Sequence, residues 1–374
     1  MKKDKCVIVI GGNRANNYET FAPIVYDLKT NGYNIITFFQ DKKIKNLVEE
    51  NQILNNVFEE KKIISKKNFS LLLIIKLIYE LSRYRKGLII TNRYFNSIKF
   101  KLFIKILKIF NFKTVYTKSF SRPPTKNIYA LVGAPSKIKN KSNLSEFCIL
   151  PTKHHVIEYA LLGFRYNQMI ISGYPKMNIK WVQYCSEMTN LTNISNFEIL
   201  IVVGIYHDNF EKVLTDLFLS INKNFKNINI CFKPHPTNDA KILNTYIKKF
   251  SINNNFFSSN QNVMSLSKQS KLIIIHGTSA SIDAFCVNNN VYCYWGEEKE
   301  KVDEYINNIF YDQNGFDILE SNLLSKPFIK SDLFTINDLD DLFRNLDFKK
   351  FTNVKNTDLK TSKITYKIEE KVFQ

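Results

Sequence analysis

"CVIVIGGNRANNYETFAPIVYDLKTNGYNIITFF" (residues 6–39) is the stretch that decides the fold. Cys6–Ile10 is a short apolar run rich in β-branched residues and without alternation. A strand buried on both faces of a parallel sheet has that composition. Two glycines end the run, a helix-length segment follows, and Gly32 stands where the helix should stop. "NIITFF" then opens a second strand. The same grammar continues in "GLIIT" (87–91), "KTVYT" (113–117), "IYALVG" (128–133) and "MIISG" (169–173), with helical stretches between them.

The polar, Asn/Thr-rich stretch "CSEMTNLTNISN" (185–196) reads as a linker. Beyond it the pattern restarts with "EILIVVGIYH" (198–207) and runs through "NINICFKPHP" (227–236), "KLIIIHGTSAS" (271–281) and "VYCYW" (291–295). The expected organisation is a first domain over 1–184, the linker, a second domain over 197–345 and a C-terminal tail over 346–374. "SDLFTINDLDDLFRNL" (331–346) supplies one capped helix, and disorder is expected after it. Two α/β halves of the Rossmann kind imply a cleft, with ligands beyond the carboxyl ends of the strands.

Composition narrows the partners. Lys and Arg number 53 against 34 Asp and Glu, a formal net charge of +19. AT-rich codon usage is one source of that balance, and an anionic partner is the other. No RNP-like, zinc-finger or basic-zipper pattern is present, so a nucleotide or a membrane surface is favoured over nucleic acid. The six cysteines follow no metal-ligand spacing and sit mostly in apolar runs, as buried residues of a reducing compartment do. "MKKDKCVIVIGG" is not read as a signal peptide, and "LLLIIKLIYEL" (71–81) is too short and too charged to span a bilayer. The expected location is cytoplasmic, with a peripheral seat on the inner membrane as the variant.

Two segments carry chemistry. In "CFKPHPTNDA" (231–240), His235 stands between Pro234 and Pro236, which give it a stiff, extended mount, and Lys233 lies two residues before it. In "IIIHGTSASIDAF" (273–285), a buried strand runs through His276 into Gly277, and the hydroxyls of Thr278, Ser279 and Ser281 precede a helix. Free backbone N–H groups and hydroxyls at a helix start form an anion site; the ordinary alternative is that Ser279 or Ser281 only caps the helix. With the His235 segment one strand earlier in the same sheet, the two elements together fit a phosphate.

"KPHP", then "HGTSASIDAF", then "NNNVYCYW" (288–295) resembles the bacterial surface-polysaccharide transferases with HP and SS motifs: capsule sialyl-, polysialyl- and Kdo-transferases. CDP-glycerol glycerophosphotransferases are similar too. The resemblance implies an α/β GT-B fold, two Rossmann-like domains facing across a cleft, and a CMP-linked donor of sialic acid, Kdo or a related sugar. It implies that His235 neutralises the leaving phosphate and that Ser279 and Ser281 hydrogen-bond it. Lys233, Pro236, His276, Gly277 and Thr278 fall around the same donor. "SGYPKMN" (172–178) matches the segment before the domain crossover, which brings in Gly173. The acceptor would be a glycan or a lipid-linked sugar, and neither a metal nor a further cofactor is implied.

One part of the pattern is missing. The family's acceptor base is a carboxylate from an acidic motif, but "TVYTKSFSRPP" (114–124) has Thr117, Lys118 and Ser119 in that place. Glu19, at the end of "GGNRANNYE" (11–19), is the candidate catalytic base; its ordinary role is a carboxylate in the first turns of a helix. His207, or His154 and His155 on a helix surface, are the other options, and a chain without activity is the third. "GGNRANN" lacks the spacing of a dinucleotide site. Arg93 and Arg122, past strand ends, are candidates for an acidic acceptor or a lipid diphosphate. "SIKFKLFIKILKIFNF" (97–112) puts Lys101, Lys105 and Lys108 on one stripe of a crossover helix, with an apolar edge that suits a membrane interface. The enzyme alternative is a CDP-alditol phosphotransferase; the other is a noncatalytic glycan- or nucleotide-binding relative.

Overall fold

The β-α-β grammar is realised twice. The structure, a computed structural model, describes residues 3–12, 15–39, 41–63, 78–92, 98–117, 145–150, 155–173, 175–189, 197–204, 210–235, 240–251, 253–259, 261–276, 280–288, 290–297, 299, 331–348 and 364–373. The chain divides into two units, Met1–Trp181 with Thr361–Gln374, and Val182–Lys360.

The first unit holds β1 (Lys3–Ile10), α1 (Ala15–Thr30), β2 (Asn34–Phe39), α2 (Lys42–Glu50), α3 (Gln52–Val57), β3 (Lys61–Ile63), β4 (Tyr84–Thr91), α4 (Ile98–Ile109), β5 (Phe112–Thr117), β6 (Phe147–Leu150), α5 (Val156–Leu161) and β7 (Met169–Ile171). All seven strands are parallel, in the order β3-β2-β1-β4-β5-β6-β7. Cys6–Val9 are completely buried because both faces of β1 are covered. Gly11 is explained by packing: a Cβ there would come within 2.4 Å of the Tyr18 ring. That ring cannot move away, since its hydroxyl donates to the Phe38 carbonyl at 2.8 Å and it stacks on Phe39. Gly32 takes φ +84° just past α1, the left-handed stop expected from the sequence. The crossover helix is also as expected: on α4, Ile104 and Leu107 are buried, while Lys105 and Lys108 are exposed. The strand expected over 128–133 and the Lys101 side chain lie outside the described residues.

α6 (Ile179–Thr189) takes in residues 185–189, which had been read as the start of a linker. Trp181, Val182 and Cys185 are buried along it, so the amphipathic stripe carries the helix into the Asn/Thr-rich stretch.

The second unit holds β8 (Ile199–Val203), α7 (Phe210–Asn224), β9 (Asn229–Lys233), α8 (Ala240–Phe250), β10 (Asn255–Ser258), α9 (Val263–Gln269), β11 (Leu272–His276), α10 (Ala280–Phe285), β12 (Val291–Tyr294), β13 (Ser331–Leu333) and α11 (Ile336–Arg344). Its six parallel strands run β10-β9-β8-β11-β12-β13. On α7, Phe210, Val213, Leu214, Leu217, Phe218 and Ile221 form the helical stripe that covers this sheet, and the Phe218 ring stacks on Phe232 at 4.7 Å. α11 begins with the expected capping box, Thr335 with Asp338.

The expectation of a disordered end is corrected by α12 (Ile364–Phe373), which packs on the first unit. Its Ile368 and Val372 are buried. Glu369 accepts from Lys5 Nζ at 2.5 Å and from the Tyr33 hydroxyl at 3.0 Å, and Asp27 Oδ2 accepts from the Thr365 amide at 3.1 Å and its hydroxyl at 2.5 Å. Lys367 and Lys371 donate at 2.8 Å to the carbonyls of Ile171 and Met169, which caps the edge strand β7. The Lys-rich composition that suggested disorder thus serves backbone acceptors. All six cysteines are buried, and burial pushes the Cys231 thiol up to about 12. Among the described residues no helix is long and apolar enough to cross a membrane.

Candidate functional site

Three strands of the second sheet end together. β8 runs out at Val203 into Gly204, β9 at Lys233 into Pro234 and His235, and β11 at His276. β8 lies between the other two, with Val202 in register with Lys233 and Val203 in register with His276. Two interstrand spacings therefore separate Lys233 and His276, about 10 Å. Between β8 and β11 the strand order reverses, which makes this the topological switch point, the place where open α/β sheets receive ligands. The sequence reading set the His235 and His276 segments on consecutive strands. Instead β10 intervenes in the chain and β8 in the sheet; "NFFS" (255–258) is too short to be recognised as a strand except through its pairing with β9.

The chemistry of this edge is cationic. Lys233 is only 9% exposed, and its Nζ donates to the Pro234 carbonyl at 3.4 Å. Its ammonium places a positive charge at the end of β9. His235 is half-buried; burial first, and the charge of Lys233 second, hold its pKa below the ordinary 6.5. An anion bound beside it would favour the protonated imidazole. His276 is buried. α10 has six residues and carries Asp283 in its first turn, so its dipole is short and its positive end is offset by a carboxylate. Pro236, Gly277, Thr278 and Ser279 lie outside the described residues, as does the side chain of Ser281, whose backbone is in α10.

In the first unit, Glu19 is half-buried in the second turn of α1. Pro23, inside the same helix, has no N–H to offer the Glu19 carbonyl. Around α1, Glu19 stands about 200° from Asn17, so the two do not share a face. His155, expected on a helix surface, is 3% exposed: it sits at the entrance to α5, whose Tyr159 and following Leu162 pack into the core. Gly173 takes φ +79° directly after β7, and the Ser172 hydroxyl, at 2.7 Å from the Gly173 carbonyl and 3.3 Å from that of Leu150, fastens the turn. That backbone conformation accounts for the glycine. Arg93, Arg122, Lys118, Ser119, His154 and His207 lie outside the described residues.

Sequence reasoning passed over a pair of amides. Gly12 follows β1, Asn92 follows β4, and Asn17 is on α1; a Cβ built on Gly12 would lie 2.5 Å from Asn17 Nδ2 and 3.5 Å from Asn92 Oδ1. Asn92 stands beside Arg93, whose charge drew the attention, and only the β1–β4 register brings it to Gly12.

No protein-family model and no curated protein matches this chain. Solved structures do. The S. aureus MnaA–UDP co-structure is 11% identical with TM-score 0.57, over 99% of this chain and 96% of that one. UDP-GlcNAc 2-epimerase from Neisseria meningitidis, bound to UDP-GlcNAc, is 12% identical with TM-score 0.55, over 99% of both chains. The wall teichoic acid polymerase TagF, in a CDPG-soaked His-to-Asn variant, is 13% identical with TM-score 0.57, over 99% of this chain and 88% of that one. At such identities the likeness speaks for the fold: this is a GT-B chain of two Rossmann-like units.

Proposed function

We propose that this chain is a GT-B glycosyltransferase of bacterial surface-polysaccharide assembly, using a nucleotide-activated sugar whose phosphate is held by Lys233 and His235. The observation that carries the reading is the buried Lys233 two residues before the half-buried His235 at the carboxyl end of β9, one strand from the switch point of the second sheet. The similar structures in complex with UDP or UDP-GlcNAc, or soaked with CDPG, are in keeping with a nucleotide-linked donor. The HP and SS pattern narrows it to a CMP-linked sugar, sialic acid, Kdo or a relative, passed to a glycan or lipid-linked acceptor at a membrane face.

In this reaction the bond from the anomeric carbon to the CMP phosphate oxygen breaks, and a bond from that carbon to the acceptor oxygen forms. Lys233 and protonated His235 stabilise the charge left on CMP, as preorganised cations do in a water-poor site. Hydroxyls of Thr278, Ser279 and Ser281, with Pro236, His276 and Gly277, complete the phosphate's surroundings in this reading, and Gly173 sets the turn before the crossover. The proton of the acceptor hydroxyl passes to Glu19. In this reading Arg93 and Arg122 serve the acceptor. Glu19→Gln is the direct check of the base: at least a hundredfold loss of turnover is expected, and normal turnover would move the base elsewhere.

A thermal-shift screen with CMP, CDP, UDP and GDP tests the donor class, with the largest stabilisation expected from CMP; the same shift from UDP or GDP would reject the cytidine reading. Mass analysis of the products then separates sugar transfer, which leaves CMP carrying its phosphate, from transfer of a phosphorylated polyol out of a CDP-linked donor. A protein that binds CMP and consumes no donor would be the noncatalytic relative.

A further inference from the structure

The first sheet has its own switch point. Its order, β3-β2-β1-β4, reverses between β1 and β4, and Ile10 pairs with Thr91 at the ends of these strands. Gly12 and Asn92 therefore lie side by side beyond the carboxyl edge. The spot above Gly12 is flanked by an amide donor, Asn17 Nδ2, and an amide acceptor, Asn92 Oδ1. Asn92 Oδ1 is buried and accepts no hydrogen bond from any described residue. An acceptor left so is costly unless a guest donates to it.

The chemistry of the guest follows from that vacancy of donors. Ionised phosphate and carboxylate have acceptors only and cannot serve Asn92 Oδ1. A neutral hydroxyl serves both sides at once: its proton goes to Asn92, and its oxygen accepts from Asn17. A side chain at residue 12 would run into the Asn17 amide and displace the donor from this spot. We infer that Gly12, Asn17 and Asn92 form a subsite for a neutral hydroxyl of a sugar or polyol, so that this part of the acceptor is read by amides and not by cations. The inference rests on the transferase reading and adds to it the uncharged character of the group bound at this edge, where the arginines had suggested an acid.

The test uses the full chain and ligand-observed saturation-transfer NMR with methyl α-glucopyranoside and glycerol as neutral probes and acetate, whose carboxylate has acceptors only, as the anionic one. Saturation transfer to at least one neutral probe is expected. It should fall at least tenfold in Asn92→Leu, which removes the acceptor, and in Gly12→Ala, and should persist in Asn92→Asp, which keeps an acceptor oxygen. If Asn92→Leu fails to fold, Asn17→Ala replaces it, with the same loss expected. No transfer to either neutral probe in the wild type, or undiminished transfer in the Leu or Ala variants, overturns the inference. CMP titration in the same samples keeps the two claims apart: loss of CMP binding by the wild type with the glycoside retained would strike the donor reading alone.

Discussion

Lys233 and His276 close two strands that flank a third, one in register with Val202 and the other with Val203 of β8. Val202 and Val203 are consecutive on β8, so the register sends the Lys233 and His276 side chains to opposite faces of the sheet on either side of the point where the chain leaves β8. Neither side chain is near its partner in sequence; the sheet order alone makes them neighbours of one strand end.

Lys233→Met separates binding from stability. Methionine keeps the length of the side chain and removes the desolvation cost of the ammonium, so the melting temperature should hold. Charge-assisted bonds contribute roughly 1.5–3 kcal/mol, so CMP affinity should fall about 10–150-fold. Calorimetric melting and titration of one sample measure both. A fall in melting temperature with unchanged affinity would make Lys233 structural.

His235 gives a pH signature. Its folded pKa lies below the unfolded 6.5, because burial and Lys233 disfavour the imidazolium. Between those two values the unfolded chain binds more protons than the folded one, so stability should rise with pH through that window and level off above 6.5. Phosphate binding should reverse the shift and draw in a proton. CMP titrations near pH 6.5 in buffers of different ionisation enthalpy should show uptake in the wild type and none in His235→Gln.

Much of the architecture was legible. β1, β4, β8 and β11 each contain an apolar run rich in β-branched residues, a pattern that the buried centre of a parallel sheet selects. β3, β10 and β13 were not seen: each has three or four residues, lies at or next to polar residues, and exists as a strand because a neighbour pairs with it. α12 was hidden by its lysines, which read as solvent-facing until β7 supplies carbonyls. At the site, proline and strand-end position exposed His235, whereas Asn17 and Asn92 became a pair only through the β1–β4 register. The burial of His155 likewise depends on packing around α5 that its local sequence does not announce.

Gly11→Ala should cost about 1–3 kcal/mol by forcing the Tyr18 ring against its neighbours. Urea unfolding would show a lower midpoint with an unchanged slope. An unaltered midpoint would mean that the ring has room the packing denies it.

Thr365→Val tests the return of the C-terminal helix. It removes the hydroxyl that donates to buried Asp27 while keeping the amide bond. A loss of about 1–3 kcal/mol is expected, measured as a shift in the unfolding midpoint, and a neutral result would place the hold of α12 on Glu369 and its apolar face.

The central claim, that Lys233 and His235 hold a donor phosphate, is met most directly by titrating CMP and cytidine, which differ only in that phosphate, into wild type and His235→Ala. The account predicts that CMP binds the wild type at least tenfold more tightly than cytidine does, and that this advantage collapses in the variant while cytidine binds both alike. An advantage of CMP over cytidine that survives intact in His235→Ala would contradict it.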